Sequence, residues 1–299
     1  MLGIPKMLAK AGLGATALAL VMSCASAPTP AAKPAATPAP KTPVQKERTV
    51  TVRTPVLVKE TVFYPDGLVD TYTTYKYDDS LNRLLEKTTF DPTRPDPIER
   101  VVSEYDANGI LTDDLTYGSD GSLKVRHDIS WTPGKLIASE KGQDAKGVGQ
   151  FSSSYTYDQA GNRSTWKAFD GSGALRATTN YSYDSNRHLI LIEMRNPANA
   201  LTGSIKISYA PDGSTETWTY LGSDGSVQKS EVSILKGGKV MRFEVRHQDN
   251  SLAEATDYTY GPDGERLTAV LSDAAGKVKE KRSFDYLIRS DQKLETYYE

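Results

Sequence analysis

The sequence has little of several residue types on which common activities depend. Among its 299 residues there is one cysteine, and the three histidines are His127, His188 and His247. A lone cysteine cannot form a disulfide within the chain, and the histidines lack an HExxH or other paired spacing. No GxSxG motif and no P-loop motif occurs either. These absences predict no metal site, no cofactor and no enzymatic activity.

The remaining polar candidates have ordinary structural interpretations. His127 falls on the apolar face of a predicted strand, which favours a core histidine over a ligand. The acidic pairs Asp78-Asp79 and Asp113-Asp114 lie at strand or turn positions and are expected to be solvated. A glycosidase pair is defined by the distance between its two carboxylates, which the sequence does not give. The Asp-Gly turns lack the glycine-rich nonapeptide period of calcium-binding repeats, so these residues are predicted to form turns and not calcium sites.

Neither one sign of charge nor a long apolar run dominates the chain. The 36 lysines and arginines and the 38 acidic residues leave a formal net charge of −2. A nucleic-acid partner is therefore not expected, since it requires a basic stripe. The apolar run at residues 11–22 is shorter than the roughly 20 residues that a membrane-spanning helix needs.

The N-terminus has the layout of an export signal. A short segment with Lys6 and Lys10 precedes the apolar run, and small residues follow it. Val21-Met22-Ser23-Cys24 resembles a bacterial lipobox, in which an aliphatic residue stands three positions before the cysteine. The resemblance implies that Cys24 carries lipid and becomes the new N-terminus. It also implies a membrane anchor, and Ala25 after the cysteine favours the outer membrane.

The composition divides the chain into three parts. Residues 1–23 form the predicted lipoprotein signal peptide. Residues 24–48 form an Ala/Pro-rich tether, with six prolines between residues 25 and 46. Such a segment behaves as an extended spacer that reaches at most about 70 Å. Residues 49–299 form the single folded domain.

The folded domain repeats with a fixed period. Its anchor positions are 28, 26, 26, 26, 26, 25, 26 and 26 residues apart. They are Tyr77, Tyr105, Trp131, Tyr157, Tyr183, Tyr209, Ile234, Tyr260 and Tyr286. Apolar and polar residues alternate before each anchor, which indicates half-buried strands, and Asn, Asp or Gly turns follow each anchor and recur half a period later. The pattern predicts an all-β antiparallel meander of about nine 26-residue hairpins with 16–18 strands.

The repeat also resembles a known sequence family. The segment from Tyr155 to Asn162, YTYDQAGN, resembles the YD repeat of RHS proteins, and YSYD at 181–184 and YKYD at 75–78 match its first half. The family implies the same strand–turn units. Nine units are few for the toxin-enclosing shells of that family. We therefore infer the strands and turns of the family for this chain, but not the enclosure of a toxin.

A sheet of this width is expected to curl over its own aromatic face. Twisted sheets of more than about ten strands curl, split or close. We predict an open barrel or a two-layer roll. A membrane barrel with its aromatic face toward lipid is the alternative.

The aromatic residues offer the best candidate ligand surface. Trp166 and Trp218 occupy equivalent positions, each five residues after the glycine of a turn. The alternative role for these side chains and for the 17 tyrosines is packing across strands. If the two tryptophans face solvent together, they form the predicted site.

The sequence therefore predicts a membrane-anchored envelope lipoprotein whose repeat domain is a non-enzymatic binding or structural scaffold. Its partners would be the membrane, through the N-terminal lipid, and a polysaccharide or an envelope protein. An enzyme acting on envelope polysaccharide and a module associated with an RHS-type toxin are the alternatives.

Overall fold

A computed structural model describes residues 45–298. All regular secondary-structure elements in this range are β-strands. Residues Glu47–Glu295 form one compact unit, and the barrel described below is this unit. In the described part of the chain, no helix is long and apolar enough to cross a membrane.

The strands follow one another along the chain without interruption by other elements. They are β1 Gln45–Phe63, β2 Val69–Tyr77, β3 Leu84–Phe90, β4 Glu99–Tyr105, β5 Leu111–Gly118, β6 Leu123–Trp131, β7 Ile137–Gln143, β8 Gly149–Tyr157, β9 Arg163–Asp170, β10 Leu175–Tyr183, β11 Leu189–Arg195, β12 Leu201–Tyr209, β13 Thr215–Gly222, β14 Val227–Lys236, β15 Lys239–His247, β16 Leu252–Tyr260, β17 Arg266–Asp273 and β18 Val278–Tyr298. The predicted meander is confirmed, with eighteen strands among the described residues.

The sheet closes on itself, which corrects the predicted open barrel or two-layer roll. Each strand pairs antiparallel with the next, and β1 also pairs with β18. Across this seam Arg48 contacts Glu295, Thr51 contacts Gln292 and Glu60 contacts Arg282, so the pairing is antiparallel. Close backbone contacts among β2–β17 join only strands that are consecutive in sequence. The physical reason is that closure leaves no unpaired edge along the barrel.

The turns show why the sequence forms hairpins at these positions. In the turn after β8 the Asp158 amide donates to the Asn162 carbonyl at 2.8 Å, and the Gly161 amide donates to the Asp158 carbonyl at 3.1 Å. Gly161 has φ +84°, a left-handed conformation that a residue with a Cβ rarely adopts. The pairing register shifts between Thr156 and Tyr157, so each such turn adds a β-bulge.

The turns lie in two rings, one at each end of the barrel. Four of the turns that follow even-numbered strands begin with the Asp of a Tyr-Asp sequence, namely Asp78, Asp106, Asp158 and Asp184, and we call the whole ring of turns at this end the YD rim. Most strands have 7 to 10 residues, but β1 has 19 and β18 has 21. The extra residues of β1 and β18 run past the YD rim as a two-stranded arm.

The two faces of the sheet differ in character. On β10 the face with Ala177, Thr179 and Tyr181 is more buried than the face with Arg176 and Ser182. The right-handed twist of strands fixes the hand of a barrel. With this strand order and register, the aromatic face forms the inner wall and the polar face forms the outer wall.

The apolar core of the barrel is small. Its densest part is a cluster of Ile192, Ile205 and Ile207 on the inner wall of β11 and β12. Five partly buried side chains pack against this cluster, namely Tyr181, Leu189, Met194, Trp218 and Tyr220. Elsewhere the buried residues are mainly small, such as Ala255, Ala269 and Thr179.

The anchor aromatic residues tie adjacent strands together at the YD rim. The Tyr183 hydroxyl on β10 donates to the carbonyl of Arg163, the first residue of β9, at 3.0 Å. That carbonyl lies past Asn180 and Thr165, the last pair of the β9–β10 ladder, and so lacks a ladder partner on that side. The same hydroxyl-to-carbonyl bond is made by Tyr105 to Leu84, Tyr157 to Ile137, Tyr209 to Leu189 and Tyr260 to Val240, and Trp131 makes the equivalent bond from its indole Nε1 to Leu111. At these six anchor positions, the 26-residue period of the sequence corresponds to a repeated hydrogen bond from an aromatic side chain to a carbonyl at a strand end.

This bond predicts a measurable loss of stability when one hydroxyl is removed. Tyr183→Phe keeps the ring and leaves the Arg163 carbonyl without its donor, and we expect unfolding to become easier by about 1 kcal/mol. Urea unfolding measures the change, with Ser182→Ala on the outer wall as the control. Equal midpoints for Tyr183→Phe and the parent protein would contradict the role of the hydroxyl.

Candidate functional site

The predicted lipidation site and tether lie outside the described residues. Cys24, the signal peptide and most of the tether precede residue 45, so their roles stay predictions. The first described residues belong to β1, and β1 approaches the barrel from the side of the YD rim.

The aspartates of the repeat stabilise the turns. Oδ1 of Asp184 accepts the amides of Asn186 at 2.9 Å and His188 at 2.8 Å. Equivalent bonds are made by Asp106, Asp144, Asp158, Asp170 and Asp273. Within residues 45–298, no group of three or more His, Cys, Asp or Glu side chains is placed to hold a metal ion.

These hydrogen bonds favour the ionised aspartates. The Ser172 hydroxyl and the amides of Ala174 and Ser172 lower the pKa of Asp170 from 3.8 to about 2. The pKa values of Asp158 and Asp184 are lowered in the same way, chiefly by bonds from Asn162 and His188. A lowered pKa in the folded state contributes stability above the unfolded value of 3.8 and loses it as the pH falls through the folded value.

We therefore expect the barrel to lose stability as the pH falls from about 4 to about 2. Asp170→Ala should lower the urea midpoint at pH 6, and its difference from the parent protein should shrink towards pH 2, where about half of the parent Asp170 carboxyl is protonated. Asp170→Asn keeps an acceptor and serves as the control. A difference between Asp170→Ala and the parent that stays constant from pH 6 to pH 2 would refute this account of the turn.

The histidines are separate from one another, as their spacing indicated. His188 lies at the YD rim, where Nδ1 is 3.1 Å from Asp184 Oδ2 and the ring is 5.2 Å from that of Tyr209. His127 lies half-buried on the inner wall, opposite Asp114. Ser103 donates to Asp114 at 2.6 Å. The Asp114 carboxylate lies between Ser103 and His127 in the ladder. His127 is therefore not placed to take the proton of the Ser103 hydroxyl, and these three residues do not form an activated nucleophile.

Two buried carboxylates are held in ion pairs. Asp113 lies 2.8 Å from Arg126, and Glu244 accepts from Arg242 at 2.9 Å and from Arg246 at 2.5 Å. Burial opposes ionisation, but the hydrogen bonds and the arginine charges outweigh it and lower both carboxyl pKa values. Neither group has the raised pKa that a general acid needs.

Trp218 belongs to a cluster of aromatic and charged residues on the inner wall. Its Nε1 donates to Glu216, and Glu231 lies directly opposite on β14. Glu231 accepts from the Tyr220 hydroxyl at 3.0 Å and from Lys229 Nζ at 2.7 Å. Burial, and then the Glu231 charge, raises the pKa of Tyr220. We call Glu216, Trp218, Tyr220, Lys229 and Glu231 the Trp218 cluster.

Trp166 lies on the same wall but in a different neighbourhood. It is half-buried on β9 between Tyr155 and Thr179. Its buried Nε1 has no hydrogen-bond partner among the described residues. Trp218 is four strands further along, which separates the two residues by about 19 Å across the strands at the usual spacing. The two predicted residues share a wall and do not touch, so they do not form one compact site.

Sequence reasoning missed the tyrosine–glutamate pairs of the inner wall. Tyr75 donates to Glu60 at 3.4 Å, and Tyr155 donates to Glu140. Burial, and then the Glu60 charge, raises the pKa of Tyr75 to about 12. In both pairs the glutamate precedes the tyrosine by fifteen residues. The fifteen-residue spacing between glutamate and tyrosine is the sequence signal from which these pairs could have been predicted.

Comparison with solved structures gives distant likenesses. No protein-family model and no curated protein matches the sequence. A porin-like protein from Bacteroides uniformis is 14% identical with a TM-score of 0.44, covering 78% of this chain and 96% of that one. A porin-like protein from Bacteroides vulgatus is 8% identical with a TM-score of 0.30, covering 77% and 98%.

A toxin complex is a third structural neighbour. The TcdB2-TccC3 structure is 14% identical with a TM-score of 0.32, and the match covers 73% of this chain but 12% of that one. At these identities and TM-scores, none of the three likenesses carries an argument about what this chain does.

Proposed function

We propose that the protein is a lipid-anchored envelope protein, and that its barrel is a non-enzymatic scaffold which binds an envelope polysaccharide at the Trp218 cluster. The observation that carries the proposal is the inner wall itself, where aromatic rings and carboxylates stand side by side in fixed positions. A scaffold of this kind binds through a preorganised surface and performs no chemistry on its ligand.

The Trp218 cluster has the chemistry that a sugar chain requires. Trp218 and Tyr220 are half-buried, so each ring keeps some accessible area for an apolar sugar face. Each carboxylate can accept about four hydrogen bonds, and Glu216 and Glu231 use only part of that capacity. Because these bonds hold the carboxylates in place, binding a hydroxyl-rich ligand orders few side chains.

The charges on both walls favour attachment through lipid rather than through the barrel. Lys206 and Arg126 lie within strands on the outer wall, and Glu140 and Glu231 lie within strands on the inner wall. An Arg or Lys on a lipid-facing wall costs about 2–4 kcal/mol at the bilayer midplane. Cys24 provides the alternative, and the preferred location is the outer membrane.

The anchor is tested at Cys24. Because the lipid would be the membrane attachment, Cys24→Ala should abolish incorporation of radioactive palmitate and release the protein from the membrane fraction. Ser26→Ala, two residues further on, is the matched control. Continued partition of the unlabelled Cys24→Ala protein into membranes would show that another feature attaches it.

The ligand surface is tested by binding to delipidated envelope polysaccharide from the native cells. Trp218→Ala should weaken retention in affinity electrophoresis at least about tenfold, which corresponds to about 1.4 kcal/mol. Trp218 also packs against the isoleucine cluster, so Glu231→Gln, which keeps the side-chain volume, is the second variant and should also weaken retention.

Tyr117→Ala is the aromatic control, because Tyr117 lies on the outer wall with Arg100 4.5 Å from its ring. Unchanged retention of both inner-wall variants would contradict the assigned surface. Release of new reducing ends by the parent protein would favour the enzymatic alternative instead.

A further inference from the structure

The arm formed by β1 and β18 has a free edge. By the β17–β18 register, Arg266, the first residue of β17, lies level with Asp285. The β18 edge past that level therefore has no strand beside it among residues 45–298. Leu294 on this part of β18 is 66% exposed. An unpaired edge of this length offers a row of backbone donors and acceptors to another strand.

Two arginines fix the arm at its base. Arg53 on β1 reaches over β18 to Asp263 in the turn before β17, with two bonds of 2.9 Å. Arg289 on β18 reaches the other way, to the Leu81 carbonyl at 3.2 Å and to Asn82 Oδ1 at 2.5 Å. Because the arm is held from both sides, its free edge is presented in a defined direction.

The free edge carries charges that complement themselves. From Arg289 the charges alternate at every second residue through Asp291 and Lys293 to Glu295. In an antiparallel pair of two such edges centred on Gln292, Arg289 stands opposite Glu295 and Asp291 stands opposite Lys293. The two-fold symmetry repeats both pairs, so four opposite-charge pairs form and no like charges meet.

We propose that the arm of one molecule pairs edge to edge with the arm of a second copy of this chain, giving a four-stranded antiparallel sheet in the order β1, β18, β18 and β1. The occupant of the free edge is then a second copy, and the symmetry axis passes through Gln292. This proposal goes beyond the proposed function and does not depend on what the inner wall binds.

The alternating signs distinguish this edge from a protected one. Exposed edges that avoid pairing carry lysines or other charges that repel an approaching strand. Here the carboxylates already have partners within the chain, since Asp291 is 2.9 Å from Arg289 and Glu295 is 2.7 Å from Arg48. A carboxylate accepts several bonds, so a second copy adds partners without displacing these.

A single engineered cysteine tests the axis. Residues directly opposite in an antiparallel pair have Cα atoms about 4.5–5.5 Å apart, which is within disulfide range. Gln292→Cys in the full chain, oxidised in native membranes, should therefore give a covalent dimer of twice the chain mass. Thr51→Cys is the matched control, because Thr51 contacts Gln292 across the arm but lies on the other strand. It should give no dimer above the parent protein.

Charge exchange tests the register. In the Gln292→Cys background, Asp291→Lys or Lys293→Asp places like charges opposite one another twice, and either should abolish the disulfide dimer. The double exchange Asp291→Lys with Lys293→Asp restores opposite charges and should restore the dimer, which also shows that the arm tolerates both substitutions.

Each outcome decides the proposal. Absence of the Gln292→Cys dimer, an equal dimer with Thr51→Cys, single exchanges without effect, or a double exchange that fails to recover the dimer would each overturn it. A disulfide product of a mass other than twice that of the chain would identify a different occupant.

Discussion

Closure between β1 and β18 is the constraint on which the rest of the molecule depends. An antiparallel sheet of eighteen strands left open would expose two long edges, and each edge would be a template for aggregation. The pairing of the first and last strands removes both edges along the barrel. It also separates two walls, so that Trp166, Trp218 and the anchor aromatic residues face inward, whereas Arg126 and Lys206 face outward. The inner wall that carries the candidate site depends on this closure.

The repeated turn supplies the curvature that closure needs. An aspartate accepts the amides of its own turn, a glycine such as Gly161 takes the left-handed position, and the resulting bulge bends and twists the strand. Leu81, Lys135 and Arg187 occupy the same position without being glycine, at a cost of roughly 1–2 kcal/mol each. Before the second and third of these turns, Trp131 and Tyr183 offset part of that cost by donating to a carbonyl at a strand end.

The sequence allowed the local units to be predicted, and it did not allow their assembly to be predicted. Tyr183, Asp184 and the alternating residues before them specify a strand and a turn within a few residues, so the period was visible. The turns that recur half a period after each anchor predicted a second strand in each unit, and β9, Arg163–Asp170, is one of these strands. Closure depends on contacts such as Glu60 with Arg282, which lie 222 residues apart and follow no period.

The candidate site was only partly predictable for a related reason. Equivalent repeat positions indicated that Trp166 and Trp218 share a face, and the structure places both on the inner wall. Their separation by four strands follows from strand order. The bond from Trp218 to Glu216 lies within one strand and was visible in principle, whereas the approach of Glu231 depends on the β13–β14 register.

The seam between β1 and β18 also fixes the order of events when the chain folds. Every other ladder among the described strands joins neighbours in sequence, so those hairpins can form as soon as both strands are present. β1 is made first and β18 last, and the seam cannot form before the whole chain is available. During that interval the nascent sheet carries an exposed edge on β1 together with an uncovered aromatic face, which is the condition in which misassembly competes with folding. The charged residues at the start of β1, Glu47, Arg48 and Arg53, then act as gatekeepers for an edge that has no partner yet.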